Sequence, residues 1–108
     1  MHPPELAEVA VVTTAVASAQ AAGQLAQAAV QQRLAACVQV LEMRSHYRWQ
    51  EALHEEAEWR LECKTAPDRV PALLALLRAR HPYELPELLV LSVQAEAAYA
   101  HWVLQETR

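Results

Sequence analysis

The side chains best suited to chemistry in this 108-residue chain cluster in one short segment, His81-Pro82-Tyr83-Glu84-Leu85-Pro86-Glu87. A neutral imidazole is a good ligand for copper, zinc or nickel, which makes His81 the first candidate for holding a metal. Beside it stand a phenol, Tyr83, and two carboxylates, Glu84 and Glu87. Pro82 and Pro86 restrict the backbone on either side of Tyr83. A segment of this kind either presents polar groups to a cleft or subunit interface, or sets the entry angle of the strand that follows. Glu84 can accept a hydrogen bond or bind a cation, but no second acid stands at a spacing that marks a general acid–base pair. The remaining histidines, His2, His46, His54 and His101, have no partner at metal-ligand spacing.

Other residues carry two readings each. Tyr47, Trp49 and Trp59 form either an aromatic ligand pocket or, at period-two spacing on a hairpin, cross-strand packing. Arg33, at the end of a predicted helix, either meets an anion or covers free helix carbonyls and forms a salt bridge. Cys37 and Cys63 are too few for a disulfide framework and read as small buried hydrophobes kept reduced. No phosphate-binding P-loop, dinucleotide fingerprint, nucleophile elbow or clustered CxxC is present.

The elements that must position these residues follow from periodicity. Residues 1–7 read as a polar tail ahead of a single domain over residues 8–106. The β-branched run at residues 9–14 predicts a buried strand. Ala22, Leu25, Ala26, Ala29 and Val30 recur at spacings of three and four, predicting an amphipathic helix over residues 18–34. Gly23, the only glycine, lies inside it. It weakens the helix by about 1 kcal/mol relative to alanine, unless it marks close packing on a strand. In residues 37–49, Leu41, Met43, Tyr47 and Trp49 alternate with Glu42, Arg44, His46 and Arg48, a half-exposed strand. Residues 58–64 repeat the pattern with Trp59, Leu61 and Cys63. The two strands form a hairpin through residues 50–57, where the absence of Gly, Asn and Pro predicts a wide bend rather than a two-residue turn. Thr65 resembles a helix N-cap, and Val70, Leu73, Leu74 and Leu77 supply the stripe of a second helix that Pro82 ends. A strand at residues 88–93 and a last helix at residues 96–106, with Tyr99, Trp102 and Val103 inward, complete the chain.

The order β-α-β-β-α-β plus a C-terminal helix predicts an α+β fold of the ferredoxin-like split βαβ type, with an antiparallel sheet and two helices on one face. The tryptophans and tyrosine of the hairpin need cover on the other face, from the last helix or from other subunits. At 54% hydrophobic residues the chain is not disordered. A formal charge of -4 without a basic stripe argues against nucleic acid as a partner. No run is long enough to span a membrane, and the start lacks the features of a secretory signal, so the expected location is cytoplasmic.

Arg33-Leu34-Ala35-Ala36-Cys37-Val38, Tyr47-Arg48-Trp49, the run from Glu58 to Thr65, the segment from His81 to Glu87, and Tyr99 with Trp102 occur in an order and spacing that resembles the CutA divalent-cation tolerance family. The resemblance covers residues 8–105. It implies a homotrimer whose long hairpins pair between subunits, a role in tolerance of copper and other divalent metals, and no catalytic reaction. In some members the proposed copper ligands are a cysteine late in the first strand and two adjacent histidines before the Pro-Tyr. Here Thr13 and Arg80 stand in two of those places and only His81 matches. Glu51 occupies the place of a common hairpin glycine, and Val16 and Ala17 replace acidic and proline residues after the first strand. The expected function is therefore a trimeric, non-enzymatic protein of divalent-metal homeostasis, with a divalent metal such as copper as ligand. A PII-like module that senses a small molecule is the alternative, since the family's trimer resembles the PII signal-transduction proteins, and an acylphosphatase-type enzyme a second, since that activity shares this fold order.

Overall fold

Period-two and period-3.6 patterns give way to one another where the sequence predicts. The computed structural model describes residues 5–108. Its elements are β1 (Leu6–Val16), α1 (Ala19–Gln31), β2 (Cys37–Trp49), β3 (Ala52–Thr65), α2 (Val70–Arg80), β4 (Leu89–Glu96) and α3 (Ala97–Glu106). The strands form one antiparallel sheet in the order β2-β3-β1-β4. This is the split βαβ arrangement that the element order predicts.

The core lies between the sheet and the two helices α1 and α2. Val12 and Val16 of β1 and Leu61 and Cys63 of β3 meet Ala22, Leu25 and Ala29 of α1 and Leu73 and Leu77 of α2. The central strand β1 is buried at every position from Val9 to Val16, as a strand covered on both faces must be. The Ser18 hydroxyl caps α1 by accepting a hydrogen bond from the Ala21 N–H at 3.1 Å. The last helix, α3, lies against β1, β3 and β4 and buries Val103. Tyr99 and Trp102, expected on its inner side, remain 40% and 41% exposed.

Four further expectations are corrected. β1 begins at Leu6, where the backbone pairs with Glu96, three residues before the β-branched run. Residues 1–4 of the expected tail lie outside the described residues. The hairpin turn is tight: Trp49 pairs with Ala52, and only Gln50 and Glu51 lie between them. Both have positive φ, 49° and 66°, the backbone of a type I′ turn built without glycine. The favourable twist of that turn outweighs a left-handed cost of roughly 1 kcal/mol per residue. Thr65 ends β3 instead of capping a helix, its buried hydroxyl has no hydrogen-bond partner, and a short 3-10 turn at Pro67–Arg69 precedes α2. Gly23 is exposed, with open space above its Cα, so no close packing accounts for it.

Candidate functional site

The hairpin register decides which side chains meet. Ser45 faces Glu56, Tyr47 faces His54, and Met43 faces Glu58 across the β2–β3 ladder. Side chains alternate along a strand and directly paired residues share a face. Ser45, Tyr47, Trp49, Glu56 and Glu58 therefore stand on one face of the sheet. Ala15 of β1, paired with Arg60, joins them there. The segment of residues 81–87 leaves α2 and crosses towards this face, because Pro82 stops the helix and His81 is already extended, with φ -71° and ψ 134°. Strand face and segment together enclose a cleft of about 710 Å³, walled by Tyr47, Trp49, Glu56, Glu58, Tyr83, Glu84 and Glu87. The cleft contains four carboxylates and no Lys or Arg.

Two phenols orient two of the carboxylates. The Tyr83 hydroxyl donates to Glu58 Oε2 at 2.7 Å, and the Tyr47 hydroxyl donates to Glu56 Oε2 at 3.0 Å. Glu58 is only 8% exposed. Burial first, and then the hydrogen bond and negative charge of Glu58, push the Tyr83 phenol well above its ordinary range, so it stays protonated and remains a donor. Burial and Glu56 raise Tyr47 in the same direction. The His54 ring stacks on Tyr47 with centroids 5.1 Å apart and an 11° interplanar angle, and its Nδ1 lies 3.7 Å from Glu56 Oε1.

His81 sits behind this wall, not in it. Its Nδ1 accepts a hydrogen bond from the Tyr83 N–H at 3.1 Å, and its Nε2 lies 2.9 Å from Thr14 Oγ1. An Nδ1 that accepts carries no proton, so the neutral ring has its proton on Nε2 and donates it to Thr14. Burial lowers the His81 pKa below the usual histidine value, opposed in part by the Ala15 carbonyl and the charge of Glu58. Both ring nitrogens are thus engaged, and a metal would reach His81 only by displacing one of these bonds. Thr13, which stands where the family's thiol is expected, is buried and points to the opposite face of β1 from Thr14. Arg80 is exposed at the end of α2. Among the described residues no three His, Cys, Asp or Glu side chains converge as a metal shell. One copy of the chain therefore does not assemble a closed copper site.

The remaining candidates are placed elsewhere. Trp59 faces Glu42 and packs against the α1–α2 side of the sheet, so the three aromatics do not form one pocket. Arg33 covers carbonyls at the end of α3 and beyond it rather than those of α1: its Nη2 donates to the Gln105 carbonyl in the last turn of α3 at 3.0 Å and its Nε to the Arg108 carbonyl past the helix at 2.7 Å. Its own φ of 58° closes the C-terminus of α1. Cys63 is buried and its thiol is pushed up to about 12, by burial and by the neighbouring Cys37, as befits an inert thiol. Sequence reasoning missed Glu56, Glu58 and Thr14. Glu58 reads as an outward polar residue in the alternation. Only the two-residue turn, which fixes its register against Met43, would have placed it on the aromatic face.

The sequence profile of the "CutA1 divalent ion tolerance protein" family matches residues 10–106. The mouse Protein CutA is 41% identical over 88 residues, which cover 80% of this chain and 50% of that protein. The chain spans about half the length of the mouse and human relatives it matches. The divalent-cation tolerance protein CutA of Thermus thermophilus is 36% identical over 99 residues, 90% of this chain and 96% of that one. The CutA structure from Synechococcus elongatus superposes with a TM-score of 0.90 at 38% identity and covers 96% of each chain. Profile, relatives and superposed fold agree, and the chain belongs to the CutA1 divalent ion tolerance family.

Proposed function

We infer that this protein acts in tolerance of divalent metals, copper foremost, as a non-enzymatic cytoplasmic homotrimer. The observation that carries the reading is the cleft itself, whose lining includes four carboxylates and no Lys or Arg. Uncompensated negative charge in a walled cleft concentrates cations. An imidazole suits copper among the divalent metals, and His81 stands next to Tyr83 at the back of this wall. The site is incomplete in one copy, so the metal's remaining ligands come from a neighbouring subunit. The family description and the name of the Thermus thermophilus relative both speak of divalent-ion tolerance.

Equilibrium dialysis of the purified protein against copper and zinc tests this directly. Bound copper at a fixed ratio to subunits, reduced by His81→Ala, supports the reading. Absence of copper above buffer blanks would contradict it. A PII-like sensing role is favoured by one observation, the cleft volume of about 710 Å³, within the range typical of small-molecule sites. A nucleotide or metabolite that raises the melting temperature in a saturable way would support that second reading.

A further inference from the structure

The charges of this chain are unevenly placed. No charged residue occurs from Val9 to Gln32, so α1 turns to solvent a face of Gln20, Gly23, Gln24, Gln27 and Gln31 that carries no charge. In α2 the only charged residues are Arg78 and Arg80. None of the 13 acidic residues lies on either helix, although the whole chain has a formal charge of -4. The helix layer is thus the positive side of an acidic protein, and its field favours a negatively charged partner.

A groove of about 390 Å³ runs along α1 beside the C-terminal end of α2. Leu25 and Pro82 give it an apolar floor, and Gln24, Gln27, Gln31 and Arg80 form its rim. It lies on the helix side of the sheet and shares only Pro82 with the acidic cleft on the other side. Among the described residues, the side chains of Arg80 and of the three glutamines have no hydrogen-bond or ion-pair partner. A guanidinium with its N–H groups free matches a carboxylate. Each carboxamide offers donors and an acceptor, the two functions that a peptide backbone must satisfy. Spacings of three and four put the carboxamides along one side of the helix. The rim from Gln24 to Gln31 spans roughly 10 Å, the length of about three residues of extended chain. Gly23, one turn from Gln27, has open space above its Cα, which lets a second backbone come close to the helix there.

We propose that this groove docks an acidic segment of a partner protein in extended conformation. A carboxylate of the segment pairs with Arg80. Its backbone N–H and C=O groups bond to the carboxamides of Gln24, Gln27 and Gln31, and its small side chains lie on Leu25 and Pro82. The site uses neither His81 nor the carboxylates of the cleft and stands independently of the metal reading.

The test is fluorescence anisotropy of the full chain at pH 7 and low salt. The probe is a fluorescein-labelled peptide of about six alternating glutamate and alanine residues, long enough to cross the groove when extended. It is compared with the same peptide carrying glutamine for glutamate, and with glutarate, a dicarboxylate without peptide groups, as unlabelled competitor. The expected result is saturable binding of the acidic peptide, about tenfold tighter than the glutamine peptide, the worth of one charge-assisted hydrogen bond. Arg80→Gln is expected to erase that tenfold preference, and Arg48→Gln, on β2, to leave it intact. Both arginines are exposed, so neither variant disturbs the fold. Equal affinity for the two peptides overturns the proposal, as does the lack of saturable binding. An equal loss of preference in Arg48→Gln also overturns it, since the attraction would then be diffuse. Displacement of the acidic peptide by an equal concentration of glutarate overturns the assignment to a peptide, because a free carboxylate would then suffice.

Discussion

At the residue scale the molecule turns on a relay from core to cleft: Thr14, His81, Tyr83 and Glu58 follow one another through hydrogen bonds. Tyr83→Phe leaves the buried Glu58 carboxylate without its donor, and is expected to cost about 2 kcal/mol of stability in urea unfolding. His81 makes the relay sensitive to acid. Its folded pKa lies below the unfolded value, so the unfolded state binds the extra proton first. The stability it contributes is full above about pH 6.5 and is lost as pH falls through the lower, folded value. Stability measured from pH 7 to pH 5 should therefore fall more steeply for the wild type than for His81→Gln, and equal slopes would refute this. The segment from His81 to Glu87 is legible in the sequence because two prolines and four polar side chains crowd together there. Its partner Glu58 is not legible, since one glutamate in an alternating strand looks like any solvated one until the register is known.

At the element scale, apolar periodicity and short apolar runs identify all four strands and all three helices, even β2 and β4, in which no residue of the single chain is buried. What escapes them are junctions set by local backbone energies. The two-residue turn at Gln50 and Glu51 is the clearest case, since neither residue type favours positive φ. Long β-strand pairing on both sides of the turn enforces a conformation that the turn residues themselves resist. Glu51→Gly is expected to raise stability by roughly 1 kcal/mol, read as a higher melting temperature, because glycine enters the left-handed region without penalty. A fall in melting temperature would mean that the turn is not the two-residue form. Thr65 fails as an N-cap for a related reason: pairing with Ala10 keeps it in β3, and the chain needs a 3-10 turn before α2 can start.

At the scale of the whole molecule the chain is elongated, 55 × 30 × 20 Å, with a radius of gyration of 15.2 Å; a globular chain of about 100 residues has about 13 Å. The extension comes from the β2–β3 hairpin, which carries Leu41, Tyr47, Trp49 and Leu53 at 39–77% exposure. Strands β2 and β4 are both open edges of the sheet. Exposed apolar side chains along open edges invite pairing with further copies. No described helix is long and apolar enough to cross a membrane. Light scattering is expected to give about three times the 12.1 kDa subunit mass, and a mass of one subunit would remove the trimer from the account. Sequence periodicity alone cannot number the copies, because it shows that a face is apolar and not what covers it. The central claim, that this fold serves to hold divalent metal, is tested most directly by the melting temperature of the wild type as copper is added. The account predicts a saturable rise that His81→Ala removes, and a melting temperature that stays flat across the titration would contradict it.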